Sequence, residues 1–177
     1  GNSGDARGWW LVQPGITLNL SQVTLDGTGF LVWQAIRHRG VGTIDQVRFT
    51  NIKYNESGPD YAGTAIAAFG GVGPVNVSYC QFDQIGRVGV LYFNAGTTGG
   101  FNFNTYTGKG PGDWLDYALD IDAGPIVNVV GNVISGNKGV ASVDLSASAG
   151  VIISTFFGGG TRTLLALNSI TNNTDGV

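Results

Sequence analysis

Three of the twelve acidic residues in this 177-residue chain stand where they could act together. Aligning the short segments Val90–Phe93, Leu119–Ile121, Val143–Leu145 and Leu165–Leu167 places Tyr92, Asp120, Asp144 and Asn168 in one outward column. Asn94 and Asp122 fall in the neighbouring outward column, because side chains on a strand alternate with period two. Stacked on adjacent strands, the three carboxylates would lie within about 5–8 Å of one another. They would repel, and one would hold its proton to raised pH. Two chemistries use such a set. A calcium ion could take Asp120, Asp122 and Asp144 together with amide and water oxygens. Alternatively, Asp120 or Asp144 could protonate a glycosidic oxygen while the other activates water. The plain alternative is a solvated polar face with ordinary carboxylates and no cofactor.

A basic column is expected beside the acids. Arg87, Lys138 and Arg162 each precede the second strand of their repeat, and Trp114 takes the matching place between Arg87 and Lys138. Lys138 and Arg162 are therefore the candidate bases, with salt bridging or turn coverage as the structural alternative. Acid, base and aromatic together point to a sugar chain, with Trp114 and Tyr92 offering ring faces. Asn76, Asn102 and Asn128 recur every 26 residues and predict an amide ladder along the outer surface. Its column would run Thr24, Arg48, Asn76, Asn102, Asn128, Ile152, too irregular for an ice-binding face.

Other reactive residues read as structural. His38, the single histidine, sits between Arg37 and Arg39 and is expected at a surface or turn. Cys80, the single cysteine, excludes an internal disulfide and reads as a small core residue in register with Ile52 and Asn132. Gly108–Asp113 lacks the pattern of a phosphate-binding loop. Together with Asn55–Tyr61 it reads as a loop flanking a groove. The four N-x-S/T sequons, at Asn19, Asn55, Asn76 and Asn172, are what chance gives in a chain this rich in Asn, Ser and Thr.

The elements that must position these residues are short strands. V-x-V-like segments begin at residues 23, 47, 75, 101, 127 and 151, at intervals of 24, 28, 26, 26 and 24. A fixed period with two or three strands and no helical pattern predicts a solenoid whose turns are coils of a parallel β-helix. The expected architecture is all-β, a single right-handed parallel β-helix of about six coils of 24–28 residues spanning residues 1–177. Val47, Phe49, Val75, Val77, Leu119, Ile121, Val127 and Val129 should line its core. Residues 1–17 would cap the first coil, and the last residues read as the start of another coil. The chain would then be a piece of a longer solenoid or would pair with a partner at its end.

Composition narrows the partners. Charged residues are 12%, about half the usual ~25%, and the net charge is −3. That balance gives no electrostatic footprint for nucleic acid. No apolar run is long enough to span a membrane as a helix. Few lysines and many Asn, Thr, Ser and Gly suit an extracellular or cell-surface protein.

With its V-N-V strands, Asn137 and the segment from Asn168 to Gly176, the chain resembles the right-handed parallel β-helix superfamily. That superfamily includes pectate-lyase-like enzymes, polygalacturonases, phage tailspikes and non-catalytic surface repeats. The resemblance covers roughly residues 18–177 and lies in the repeat pattern. It implies the fold and a polysaccharide or glycan partner. Similar lyases hold calcium with acids on a strand face and use an Arg or Lys as base, which implies such roles for the acidic and basic columns. Asn173-Thr-Asp-Gly176 equals a catalytic stretch of polygalacturonases, but their other catalytic motifs are missing, so it reads as a turn. The expected function is a non-catalytic, extracellular, carbohydrate-associated or adhesive module, able to associate with further copies end to end or side by side. A polysaccharide lyase or hydrolase and a purely structural stalk are the alternatives.

Overall fold

The computed structural model describes residues 8–54, 62–69 and 73–177. Within them the chain winds through eighteen strands, three to a coil. The first coil is β1 (Gly8–Val12), β2 (Thr17–Ser21) and β3 (Thr24–Asp26), and the second is β4 (Gln34–His38), β5 (Val41–Asp45) and β6 (Arg48–Thr50). The third is β7 (Thr64–Phe69), β8 (Gly73–Ser78) and β9 (Gln81–Asp83), and the fourth is β10 (Val88–Phe93), β11 (Thr97–Asn102) and β12 (Thr105–Gly110). Then come β13 (Tyr117–Asp122), β14 (Ile126–Val130) and β15 (Val133–Asn137), followed by β16 (Ala149–Ser154), β17 (Arg162–Ala166) and β18 (Ser169–Thr171). Each strand pairs in parallel with its equivalent one coil away, giving three six-stranded sheets. The parallel β-helix is therefore the fold, its six strand levels joined by about five turns.

The coils are less uniform than the sequence suggests. Leu20, Ile44, Val77, Phe101, Val129 and Leu165 share one column, so successive coils take 24, 33, 24, 28 and 36 residues. The V-x-V segments fall in different sheets. Val23 precedes β3 in the third sheet, Val75 lies in the second and Val151 in the first. Alternation looks alike in all three, which is why spacing alone mixes them. The predicted outer amide ladder fails for this reason. Asn76 and Asn128 both pair with Gly100, while Asn102 pairs with Ser78 and Val130.

The real ladder lies inside. At the corner between the second and third sheets one residue per coil takes left-handed backbone: Gln22, Gln46, Tyr79, Phe103, Gly131 and Leu167. The next residue then turns inward. In the last four coils this is Cys80, Asn104, Asn132 and Asn168. Asn104 Oδ1 accepts from Cys80 N at 2.8 Å, Asn132 Oδ1 from Asn104 N at 2.8 Å, and Asn168 Oδ1 from Asn132 N at 2.9 Å. Each Nδ2 in turn donates to a second-sheet carbonyl, of Val77, Phe101 and Val129 respectively. A corner has no ladder partner for these backbone groups, and the amides supply it. Asn168 is thus an internal ladder residue, not an outward one. Cys80 is buried as expected, in register with Asn132 but not with Ile52.

The expected core residues are all buried. Phe49 and Phe82 stack at 5.1 Å and 4° on successive coils of the third sheet. Two corrections concern polar side chains. Tyr92 points inward, fully buried, and its hydroxyl donates to the carbonyls of Val75 and Gly100 at 3.0 Å. Its ring takes the space at Gly99, where a Cβ would lie 3.1 Å from Tyr92 Cε1 and 2.0 Å from Val75 O. His38 is also fully buried, one coil from Ala68, which separates it from Tyr92 in the same column. Of the expected cap, residues 8–12 form β1, and 1–7 lie outside the described residues, as does the expected 55–61 loop.

Candidate functional site

The outward face of the first sheet carries the surviving part of the acidic prediction. Register aligns Arg37, Ala67, Leu91, Asp120 and Ile152 in one outward column. Phe69, Phe93, Asp122 and Ser154 form the next. The inward column between them is His38, Ala68, Tyr92, Ile121 and Ile153, so period-two alternation fixes which residues face out.

Aromatic and charged groups meet on this face. Phe69 and Phe93 stack at 5.1 Å with ring planes 3° apart. The Arg37 guanidinium lies 4.9 Å over the Phe69 ring centroid, and its Nη1 donates to Gln34 Oε1 at 3.2 Å. Phe157 packs edge-on against Phe93 at 5.7 Å and is itself 68% exposed. One coil above Phe93, Asp122 is buried, and its Oδ1 accepts from Ala123 N at 2.6 Å. Asp120 is half-buried beside it. Burial and then the Asp122 charge push the Asp120 carboxyl up to about 6, with Arg87 opposing.

The face is bordered on its other side by a flap, residues 139–148. Val140 and Ala147 bridge antiparallel. Ser142 donates to Asp113 through both its N–H, at 2.7 Å, and its hydroxyl, at 2.6 Å. Ala141 packs with Val88, Leu115 and Tyr117 in a small apolar cluster. The flap explains the misplacement of Asp144. Asp120 registers with Ile152, 32 residues on, because the flap lengthens the coil, and Asp144 lies on its exposed turn. There Asp144 accepts from Ser146 N at 3.0 Å, which holds its carboxyl below the usual range. It still lies within electrostatic range of Arg87 and Tyr117. The predicted three-acid calcium set does not form, and among the described residues no three His, Cys, Asp or Glu side chains converge as a metal would need.

The remaining predicted residues scatter. Asn94 follows β10 in left-handed backbone, its N–H on the Asp122 carbonyl at 3.2 Å. The basic column does not exist as drawn. Arg87 stacks by backbone below Tyr117, Lys138 precedes the flap, and Arg162 opens β17 in the second sheet. Trp114 sits under Lys109, whose ammonium is 5.1 Å from the ring centroid, and against Gly112 and Gly139. A separate buried cluster surrounds Asp116, which accepts from the Tyr106 hydroxyl at 2.6 Å and from Lys109 N at 2.8 Å. Burial lifts the Asp116 carboxyl and lowers the Lys109 ammonium to about 7. These bonds tie the third sheet to the first across a corner.

Phe69, Phe93, Phe157 and Arg37 were missed. A signal existed: Phe69 and Phe93 are 24 residues apart, one short coil, and each ends its strand. Comparison with protein-family models, curated proteins and solved structures gives no match to this chain. The site therefore rests on its geometry.

Proposed function

We propose that this chain is an extracellular or cell-surface β-helix module that binds a carbohydrate chain along the outer face of its first sheet. The observation carrying this reading is the parallel, face-to-face Phe69–Phe93 stack with Arg37 on one flank and Asp120 and Asp122 on the next coil. The exposed Phe157 ring and the edges of the stack offer apolar surface to sugar rings, and carboxylates and a guanidinium accept from and donate to hydroxyls. The resemblance of its repeat pattern to that of pectate-lyase-like proteins supports the same reading. Strips of this kind run along the solenoid axis, which suits an extended polymer.

The test is a native affinity gel cast with neutral and acidic polysaccharides. The expected result is slowed migration in at least one gel, lost in Phe93→Ala. Free migration in every gel overturns the reading and leaves a structural stalk. A second reading is favoured by Asp120, whose carboxyl is pushed up to about 6 by burial and by the Asp122 charge beside it. A carboxylic acid of raised pKa with a second carboxyl nearby is the kind of group that cleaves glycosides. Cleared zones that vanish in Asp120→Asn would replace binding with hydrolysis.

A further inference from the structure

A second surface stands apart from that face, at the corner between the second and third sheets. The left-handed position there is filled by glycine in only one coil, Gly131. Left-handed backbone is unfavourable for a non-glycine residue, because its Cβ crowds the following carbonyl oxygen. Yet Tyr79 (φ 51°) and Phe103 (φ 58°) hold it with their rings in water, 58% and 50% exposed. The rings stack at 5.3 Å and 14°. Phe103 is buttressed from behind by Gly131, where a Cβ would lie 2.6 Å from its ring. The pile Gly131–Phe103–Tyr79 is thus closed at one end and presents the second face of Tyr79 toward the Gln46 coil.

That face ends a shallow groove of about 540 Å³. Gln22, Gln46 and Tyr79 form one bank, and Thr24, Arg48 and Gln81 the other. The Arg48 guanidinium is already paired with Asp83 at 3.1 Å. Gln46 Nε2 donates to Asp45 at 2.9 Å, which leaves its amide oxygen to accept. The groove therefore offers a ring face, three amides and a hydroxyl, with its one cation compensated.

We infer that this corner groove binds a neutral oligosaccharide, with one pyranose ring packed on Tyr79 and its hydroxyls met by Gln22, Gln46 and Gln81. A compensated cation does not select an anion, and the net charge of −3 argues against nucleotides, the other common ring-stacking ligands. The inference shares a ligand class with the first-sheet reading but none of its residues.

The test is a nuclear magnetic resonance titration of the full chain with neutral β-1,4- and β-1,3-glucan, β-1,4-xylan and α-1,4-glucan trisaccharides. Each is taken to about 10 mM, which reveals a Kd near 1 mM. The expected result is saturable movement of the Gln22, Gln46 and Gln81 side-chain amide signals with at least one sugar. Tyr79→Gly should weaken it about tenfold or more, the factor given by 1.4 kcal/mol. That variant also relieves the left-handed backbone, so loss of binding will not reflect loss of fold. Phe93→Ala should leave these shifts unchanged, whatever becomes of the first-sheet reading. Still amide signals with all four sugars overturn the inference. So do shifts that survive Tyr79→Gly, or shifts confined to the first sheet.

Discussion

One buried and one half-buried titratable side chain give this molecule opposite responses to pH, and both can be measured. His38 sits in the apolar interior, and neither ring nitrogen has a well-formed hydrogen bond among the described residues. Burial lowers its pKa, with the Gly40 backbone opposing. The unfolded chain then binds a proton near pH 6.5 that the folded chain refuses, so stability is lost as pH falls through and below 6.5. Asp120 works the other way. Its folded pKa of about 6 exceeds the unfolded value, so its contribution is present in acid and lost as pH rises from about 4 to 6. Thermal melts of variants separate the two. Asp120→Asn should gain about 1–3 kcal/mol over wild type at pH 7.5 and little at pH 4. His38→Leu should flatten the fall between pH 6.5 and 5. An equal gain for Asp120→Asn at both pH values would mean that its carboxyl is not strained. Asp120 was legible in the sequence because an acid between Leu119 and Ile121 must face outward. His38 was not. Its arginine neighbours suggested a surface, but Arg37 and His38 point to opposite sides of one strand, and alternation sends the histidine in.

The corner between the second and third sheets shows why element type was readable and register was not. Alternating apolar residues announced the strands, yet a corner consumes only one left-handed residue before the next side chain turns inward. No glycine marks it except Gly131, so the eye runs the pattern straight through. Coils of 33 and 36 residues then displaced every alignment built on 26. The internal asparagines carry the register instead, and they make a prediction. Asn132→Ala removes the acceptor for Asn104 N and the donor to Phe101 O, both buried. Each orphaned group costs about 1–3 kcal/mol, so the variant should lose roughly 2–4 kcal/mol in denaturant melts. Cys80→Asn tests the same column from the other end. Val47 N now meets only the Cys80 sulfur at 3.4 Å. An amide oxygen there should hold the same stability or add about 1 kcal/mol, whereas a loss beyond about 1 kcal/mol would show that the site is shaped for sulfur.

At the scale of the whole molecule, stability is a sum of coils and the contacts between neighbours. Coils in the middle are supported on both sides. Val77, Phe101 and Val129 are fully buried, and each lies between two neighbours in its column. In the last coil of this 177-residue chain, Leu165 and Ile170 are only partly buried, and Ile153 is 40% exposed. The final residues add a little cover, since Gly150 N and Val151 N donate to the Asp175 and Gly176 carbonyls at 2.9 and 3.1 Å. Opening should therefore start at β17 and β18 and travel inward, each step freeing one coil. Hydrogen exchange should show the fastest amides in β17 and β18, and the slowest in β8, β11 and β14. Two truncations of buried bulk should follow the same gradient. Val129→Ala, at a site closed on all sides, should cost about 2–3 kcal/mol, and Leu165→Ala, at a site half open to water, distinctly less. Uniform protection along the axis, or equal costs for the two variants, would mean that the coils unfold as one unit. The nearest-neighbour description would then be wrong for a solenoid this short. A graded profile would instead place Phe69–Asp122 of the first-sheet face within the better-supported coils and the Tyr79 end of the corner groove beside them, with its Gln22 end on the first coil. Both surfaces, at Phe69–Asp122 and at Gln22–Phe103, would then keep their geometry while the last coil opens and closes.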